Sequence, residues 1–246
     1  MEESNSNSNI KIQKYFTDCG IMSRRAAEVE IKKGNVKVNG VVAEIGMRVN
    51  PETDVITHLG REIRPLSTEN VYVMLNKPRG IVTTMADEKG RFTVADLVKD
   101  VGARVYPVGR LDMDSDGLLL LTNDGNLANT LTHPKHDIPK IYRVTVEGEI
   151  SDDALSILRS PLVIDEYEIL PVKVDIISRE KDSSTLRMTL FEGRNRQIRK
   201  MCEIAELKIK RLCRIAIGDL RLGELEVGKW RFLSDDEVEL LRTKDE

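Results

Sequence analysis

Residues 109–125 read GRLDMDSDGLLLLTNDG. Three carboxylates, Asp112, Asp114 and Asp116, share a short polar turn with Ser115 and Gly117, and four leucines, Leu118 to Leu121, follow at once. A short continuous apolar run bounded by turn residues is the pattern of a buried strand. The junction therefore predicts a carboxylate-rich loop anchored by a strand in the core. Such a loop stays accessible while its anchor holds a reactive side chain still.

On either side of this stretch, strands and helices alternate without a βαβ rhythm. Val71–Asn76 is rich in β-formers and predicts a first strand. The turn Lys77-Pro78-Arg79-Gly80 is expected to offer its cations and backbone N–H groups to a phosphate, with Ile81–Thr84 pairing back as a strand. Thr93–Val98 reads as a helix start, Val105–Val108 as a strand, and Asn126–Leu131 as a short helix closing at Pro134. Lys140–Val146 alternates polar and apolar residues, as a half-buried strand does, and aims Tyr142 to the face opposite Ile141 and Arg143. Ser151-Asp152-Asp153 opens a helix with acidic residues at its positive end. Several strands follow between Glu168 and Leu190, and Ser234–Leu241 reads as a capped closing helix. The expected class is α+β, with a mixed, largely antiparallel sheet.

A second informative stretch is FEGRNRQIRKM, residues 191–201. It sets Arg194, Arg196, Arg199 and Lys200 at a strand-to-helix junction, and Lys208, Lys210, Arg211 and Arg214 follow. The chain as a whole is not basic: 38 Lys and Arg stand against 41 Asp and Glu, for a net charge of -3. Nucleic-acid binding must then come from local patches, and the displacement of acidic residues to 147–182 and 235–246 suits a cationic groove on an anionic body.

The N-terminal part has a different texture. MEESNSNSN, residues 1–9, is a polar tract expected to be a disordered tail. Ile12, Tyr15, Phe16 and Cys19 fall at helical spacing before Gly20, and Ser23 is placed to cap a second helix that Gly34 ends. Val36-Lys37-Val38 and Val41-Val42 flank Asn39-Gly40, a strong hairpin signal. From His58 to Asn70 the pattern loses its period, and this segment is expected to be a linker between a unit at 10–57 and a larger one at 71–246.

Other chemistries fit poorly. The three cysteines, Cys19, Cys202 and Cys213, are far apart and lack metal-ligand spacing, which suits a reducing cytoplasm. No signal-peptide pattern or membrane span is read, and no long heptad suggests anything but a monomer. Asp112, Asp114, Asp116 and Gly117 mimic the first half of a calcium-binding EF-hand loop, but its twelfth position falls on Asn123 rather than a bidentate Glu. His133 and His136 are interrupted by proline and have no third ligand.

Four motifs in order, NKPRG, GRLDMDSDGLLLLTNDG, KIYRV and EGRNRQIRKM, resemble those of the bacterial ribosomal pseudouridine synthases of the RsuA and RluB type. The stretch IQKYFTDCGIMSRRAAEVEIKKGNVKVNG resembles the small RNA-binding (S4-like) domain first described in ribosomal small-subunit protein four. The combination implies isomerisation of a uridine in ribosomal RNA, free or in an assembling subunit, with no metal or cofactor. The motif details look closer to the branch acting on large-subunit RNA than to the small-subunit branch. By the resemblance, Asp112 is the essential carboxylate, as nucleophile or as base. Tyr142 stacks on the flipped base and helps take the proton from its carbon five, and Arg199 is the charge partner that orients Asp112. RNA contacts are expected from Arg24, Arg25, Lys32, Lys33 and Lys37 in the N-terminal unit, and from Lys77, Arg79, Arg110, Arg194, Arg196 and Lys200 in the larger one. Ile141 stands where Thr is expected, and Arg196 where many members carry His; neither is expected to touch these roles. The rival reading is a non-catalytic RNA-binding or ribosome-assembly protein that keeps the same fold.

Overall fold

The structure, a computed structural model, describes residues 9–64 and 69–242. The tail expected at 1–9 lies outside the described residues except for Asn9, and so does the 65–68 part of the expected linker. The chain divides into two compact units, residues 1–70 and 71–246.

The first unit runs β1 (Ile10–Lys11), α1 (Ile12–Asp18), α2 (Arg24–Lys32), β2 (Val36–Val38), β3 (Val41–Val42), β4 (Arg48–Val49), β5 (Ile56–His58) and β6 (Arg61–Ile63). Ile12, Tyr15 and Phe16 of α1 and Ala27 and Ile31 of α2 are buried against Val36, Val49 and Ile56. Ser23 caps α2 by accepting from the Ala26 N–H at 3.2 Å. Asn39 and Gly40 both take positive φ, 51° and 83°, which is the backbone a two-residue hairpin turn needs.

The segment expected to be linker from His58 is instead structured up to Arg64. Leu59 and Gly60 also take positive φ, 50° and 77°, and return β6 against β5, so that the sheet runs β3-β2-β5-β6. The Tyr15 hydroxyl donates to the Ile63 carbonyl at 2.7 Å and fixes the last strand to α1. Strands of three residues are too short to show a period, which is why the sequence pattern does not mark them.

The second unit contains β7 (Tyr72–Lys77), α3 (Val94–Leu97), β8 (Tyr106–Pro107), β9 (Asp116–Thr122), α4 (Gly125–Thr132), β10 (Lys140–Glu147), α5 (Asp152–Arg159), β11 (Val163–Ile164), β12 (Tyr167–Glu168), β13 (Lys173–Arg179), β14 (Ser183–Leu190), α6 (Gln197–Ile204), β15 (Ile209–Ile217), β16 (Leu220–Arg221), β17 (Trp230–Phe232) and α7 (Asp235–Arg242). Its main sheet runs β13-β14-β10-β15-β9-β7-β17, with β8 and β16 pairing β9 and β15. Only β15 and β9 run parallel; the other pairs are antiparallel.

The leucine run explains itself here. Leu118 and Leu120 pack with Met74, Val108 and Leu127, whereas Leu119 and Leu121 pack with Val73, Leu75 and Val94. Because β9 is covered on both faces, its residues are apolar without alternation. Gly117 takes φ 103°, and a Cβ there would lie 2.8 Å from the Arg214 nitrogen and 2.9 Å from the Cys213 Sγ. Only glycine fits that close approach of β9 to β15.

Ile81–Thr84 does not form the expected strand. Val82 makes a single bridge to Thr93, while Gly80 N–H donates to the Met113 carbonyl at 2.6 Å and the Thr83 hydroxyl to the Leu111 carbonyl at 2.6 Å. The Val82 backbone pairs instead with Phe92 and Val94, at 3.2 and 3.0 Å, while the Gly80 N–H and the Thr83 side chain tie the segment to the carboxylate loop and the residue before it.

Candidate active site

Strand β9 ends the carboxylate loop on one side, and a buried lysine secures it from below. Lys77, at the end of β7 and opposite Gly117 in the β7–β9 pair, is fully buried. Its ammonium donates to the carbonyls of Pro78, Asp112 and Ser115 at 3.0, 3.1 and 2.9 Å. Burial pushes that ammonium down to about 8, against the opposing pull of Asp116, Asp112 and Asp114. The expectation that Lys77 grips phosphate is therefore corrected. A buried amine whose three protons are committed to the loop's carbonyls has nothing left for RNA. Together with the Gly80 bond to Met113 and the Ser115 N–H bond to the Asp112 carbonyl at 3.1 Å, it fixes the loop through its backbone.

The carboxylates then divide. Asp116 is buried and accepts two bonds from Arg211, at 2.9 and 2.6 Å. It is a structural tie between β9 and β15. Asp112 and Asp114 face the start of α6, where Arg196 precedes the helix in a left-handed conformation, φ 53°. Arg199, in the first turn of α6, reaches back with Nη2 to the Asp114 carbonyl at 3.1 Å and the Ser115 hydroxyl at 3.0 Å. The same Nη2 lies 3.0 Å from Asp114 Oδ1, and Nε lies 3.7 Å from Asp112 Oδ2. Arg196 Nη1 stands 3.4 Å from Asp112 Oδ2 and 3.5 Å from Asp114 Oδ1.

Asp112 thus sits between two guanidinium groups with its side chain 34% exposed. It opens onto a cleft lined by Arg110, Tyr142, Leu190, Arg194, Ile198 and Leu212. Tyr142 is half-buried, packed against the apolar clusters on both sides of it. The floor is apolar, the rim cationic, and one carboxylate is presented at the mouth. That combination accepts a flat heterocycle attached to a phosphodiester chain.

The structure brings together Asp112, Tyr142, Arg199, Arg110, Arg194 and Arg196 at this cleft. Arg79 is exposed and donates to the Lys210 carbonyl at 3.2 Å, and Lys200 is ion-paired with Asp165. In the first unit, Arg24, Arg25, Lys32, Lys33 and Lys37 are all exposed on α2, its end and β2. The statement that Arg196 touches no catalytic role is also corrected, because its guanidinium is an ion-pair partner of Asp112. Sequence spacing could not show this: a left-handed residue before α6 turns Arg196 back toward the loop. Among the described residues no group of three or more His, Cys, Asp or Glu converges on a point that could hold a metal. Nor is any helix there long and apolar enough to cross a membrane.

Comparison with known proteins places this geometry. A family model described as RNA pseudouridylate synthase matches residues 71–204. The chain is 40% identical over 238 residues to ribosomal large subunit pseudouridine synthase B of Bacillus subtilis, covering 94% of this chain and 95% of that protein. It is 39% identical over 231 residues to an uncharacterized RNA pseudouridine synthase of Aquifex aeolicus, covering 93% of this chain and 92% of the relative. Among solved structures, a crystal structure of a pseudouridylate synthase is similar with TM-score 0.67 and 29% identity, over 94% of this chain and 99% of that one.

Proposed function

The chain belongs to the RNA pseudouridylate synthase family, and from that premise we propose that it isomerises a uridine of large-subunit ribosomal RNA at the Asp112 cleft. The observation that carries the reading is Asp112 itself: a partly exposed carboxylate between Arg196 and Arg199, at the mouth of a cleft floored by Tyr142. The large-subunit target is supported by the identity to the Bacillus subtilis protein of that name over nearly the whole chain.

The reaction is balanced within the nucleotide. The bond from N1 of uracil to the ribose anomeric carbon breaks, the base turns, carbon five bonds to that carbon, and the proton of carbon five is lost as N1 gains one. Asp112 acts on the sugar as nucleophile or as the base that starts elimination. Tyr142 supports the flipped base with its ring and places its hydroxyl where carbon five loses its proton. Arg199, buried more deeply than Arg196, holds the loop that carries Asp112 through the Asp114 carbonyl and the Ser115 hydroxyl, and Arg196 supplies the closer ion pair to the carboxylate. The first unit, with Arg24, Arg25, Lys32, Lys33 and Lys37 exposed, captures structured RNA through its phosphates. A cytoplasmic site of action fits the three cysteines, all free and buried.

Mapping pseudouridines in ribosomal RNA from a strain lacking the protein tests the target. One large-subunit position is expected to revert to uridine and to return when the wild-type gene, but not an Asp112→Asn gene, is restored. An unchanged large-subunit map, or a change confined to small-subunit RNA, contradicts the assignment.

A further inference from the structure

Beside the cleft, β11 and β12 form a small hairpin that turns through Asp165 and Glu166, both non-glycine residues with positive φ, 52° and 61°. A left-handed backbone at such residues costs roughly 1 kcal/mol each, so the surroundings must hold the turn in place. They do: Lys200 of α6 pairs with Asp165, Ile164 is buried in the core, and the Leu170 N–H donates to Glu192 Oε1 at 2.8 Å.

This mount presents Tyr167 beneath Arg194. The guanidinium carbon of Arg194 lies over the Tyr167 ring, 3.0 Å from its centre, within the range of a cation–π contact. Arg194 is held from two further directions. Its backbone N–H donates to Gln197 Oε1 at 3.2 Å, and its Nε lies 3.6 Å from Glu192, whose side chain is buried. An arginine already facing a carboxylate and a ring is poorly set to seek a phosphate. It is well set as a flat platform, because a guanidinium plane stacks on bases as an aromatic ring does. Arg194 also lines the cleft that holds Asp112 and Tyr142.

We propose that the Tyr167–Arg194 stack is a base-stacking subsite, which takes an unpaired base flanking the target uridine on the outer face of the guanidinium. The site rests on the reading of the cleft as a uridine-isomerising centre. It gives the enzyme a preference for RNA in which the neighbour of the target is unstacked, since a base held in a helix cannot reach the platform.

The test uses the full chain and a large-subunit ribosomal RNA transcript, comparing wild type, Tyr167→Phe and Tyr167→Leu. Leucine keeps apolar bulk on the hairpin and removes the π-face. Dissociation constants are measured by filter binding over a range of salt, and turnover by tritium release from uridine labelled at carbon five. Tyr167→Leu is expected to weaken binding and raise KM by about tenfold, with kcat within about twofold and the salt slope unchanged, since no charge is lost. Tyr167→Phe is expected to behave as wild type. Wild-type affinity in Tyr167→Leu, or equal loss in both variants, overturns the subsite. Absence of tritium release from the wild type counts against the isomerase reading on this RNA, and the binding comparison then still decides the subsite.

Discussion

Asp112 is placed by its neighbours' backbones and aimed by two arginines of unequal standing. Arg199 is 16% exposed, stands 3.7 Å from the Asp112 carboxylate and holds the loop by hydrogen bonds to the Asp114 carbonyl and the Ser115 hydroxyl, whereas Arg196 makes the closer contact to Asp112, at 3.4 Å, but is 46% exposed. Partly buried charged hydrogen bonds contribute about 1.5–3 kcal/mol, and exposed ion pairs about 0–1 kcal/mol. Arg199→Ala is accordingly expected to lower kcat by roughly ten- to a hundredfold, and Arg196→Ala by no more than about fivefold, in single-turnover assays. Lys77→Met leaves the Pro78, Asp112 and Ser115 carbonyls without their buried donor. A loss of about 3 kcal/mol is expected in urea unfolding, at the order of one to two unmet buried acceptors. The meeting of Asp112, Tyr142 and Arg199 at one cleft is legible in sequence only through motifs that occur in order. The inward turn of Lys77 is not, since a lysine ending a strand looks the same in sequence whether it faces solvent or the core. The β7–β9 register decides it, by setting Lys77 opposite Gly117.

Elements were legible where a cap or a long period marked them. Ser23 before α2, Ser151 before α5 and the Thr93–Asp96 capping box of α3 are each present, and β9 follows from its leucines. The β5–β6 hairpin is not legible because its turn is Leu59-Gly60, not a usual turn pair, and its strands are three residues each. That hairpin carries a pH-dependent tie. Glu30 of α2 accepts from Asn35 at 2.7 Å and Lys33 at 3.0 Å and meets His58 of β5 at 3.0 Å. These bonds, from Asn35 first and then His58 and Lys33, lower its carboxyl from the ordinary 4.5 to about 2. A depressed acid stabilises the fold above its unfolded value and stops doing so as pH falls through its folded value. Melting curves of wild type and Glu30→Gln are therefore expected to differ most above pH 4.5 and to converge as pH drops toward 2. A gap that is constant across that range contradicts the tie.

Across the whole molecule, a net charge of -3 conceals a cluster of cations in each unit: Arg24, Arg25, Lys32, Lys33 and Lys37 exposed in the first, and Arg110, Arg194, Arg196 and Arg199 at the cleft of the second. Net charge alone thus speaks against RNA, whereas local clustering speaks for it. In the proposed function the exposed cations of the first unit serve capture and the Asp112 cleft serves chemistry. Arg24→Ala with Arg25→Ala is expected to weaken binding to ribosomal RNA and to reduce the slope of affinity against salt by about two phosphate contacts. The rate at saturating RNA should be retained. A fall in that rate with affinity unchanged would falsify this division of labour. The mixed, largely antiparallel sheet was legible from the order of strands and helices. The inward turn of Arg196 was not, because it depends on the left-handed residue before α6 and on the parallel β9–β15 pair that sets the loop in front of that helix.

If Asp112 performs the isomerisation, tritium release from large-subunit ribosomal RNA whose uridines are labelled at carbon five depends on its carboxylate. Wild-type protein is expected to release tritium in proportion to the pseudouridine formed. Asp112→Asn, which keeps the size of the side chain and removes its charge, is expected to fold and bind RNA but release tritium slower by on the order of a thousandfold or more. Equal release by the two proteins, or none by either, contradicts the account.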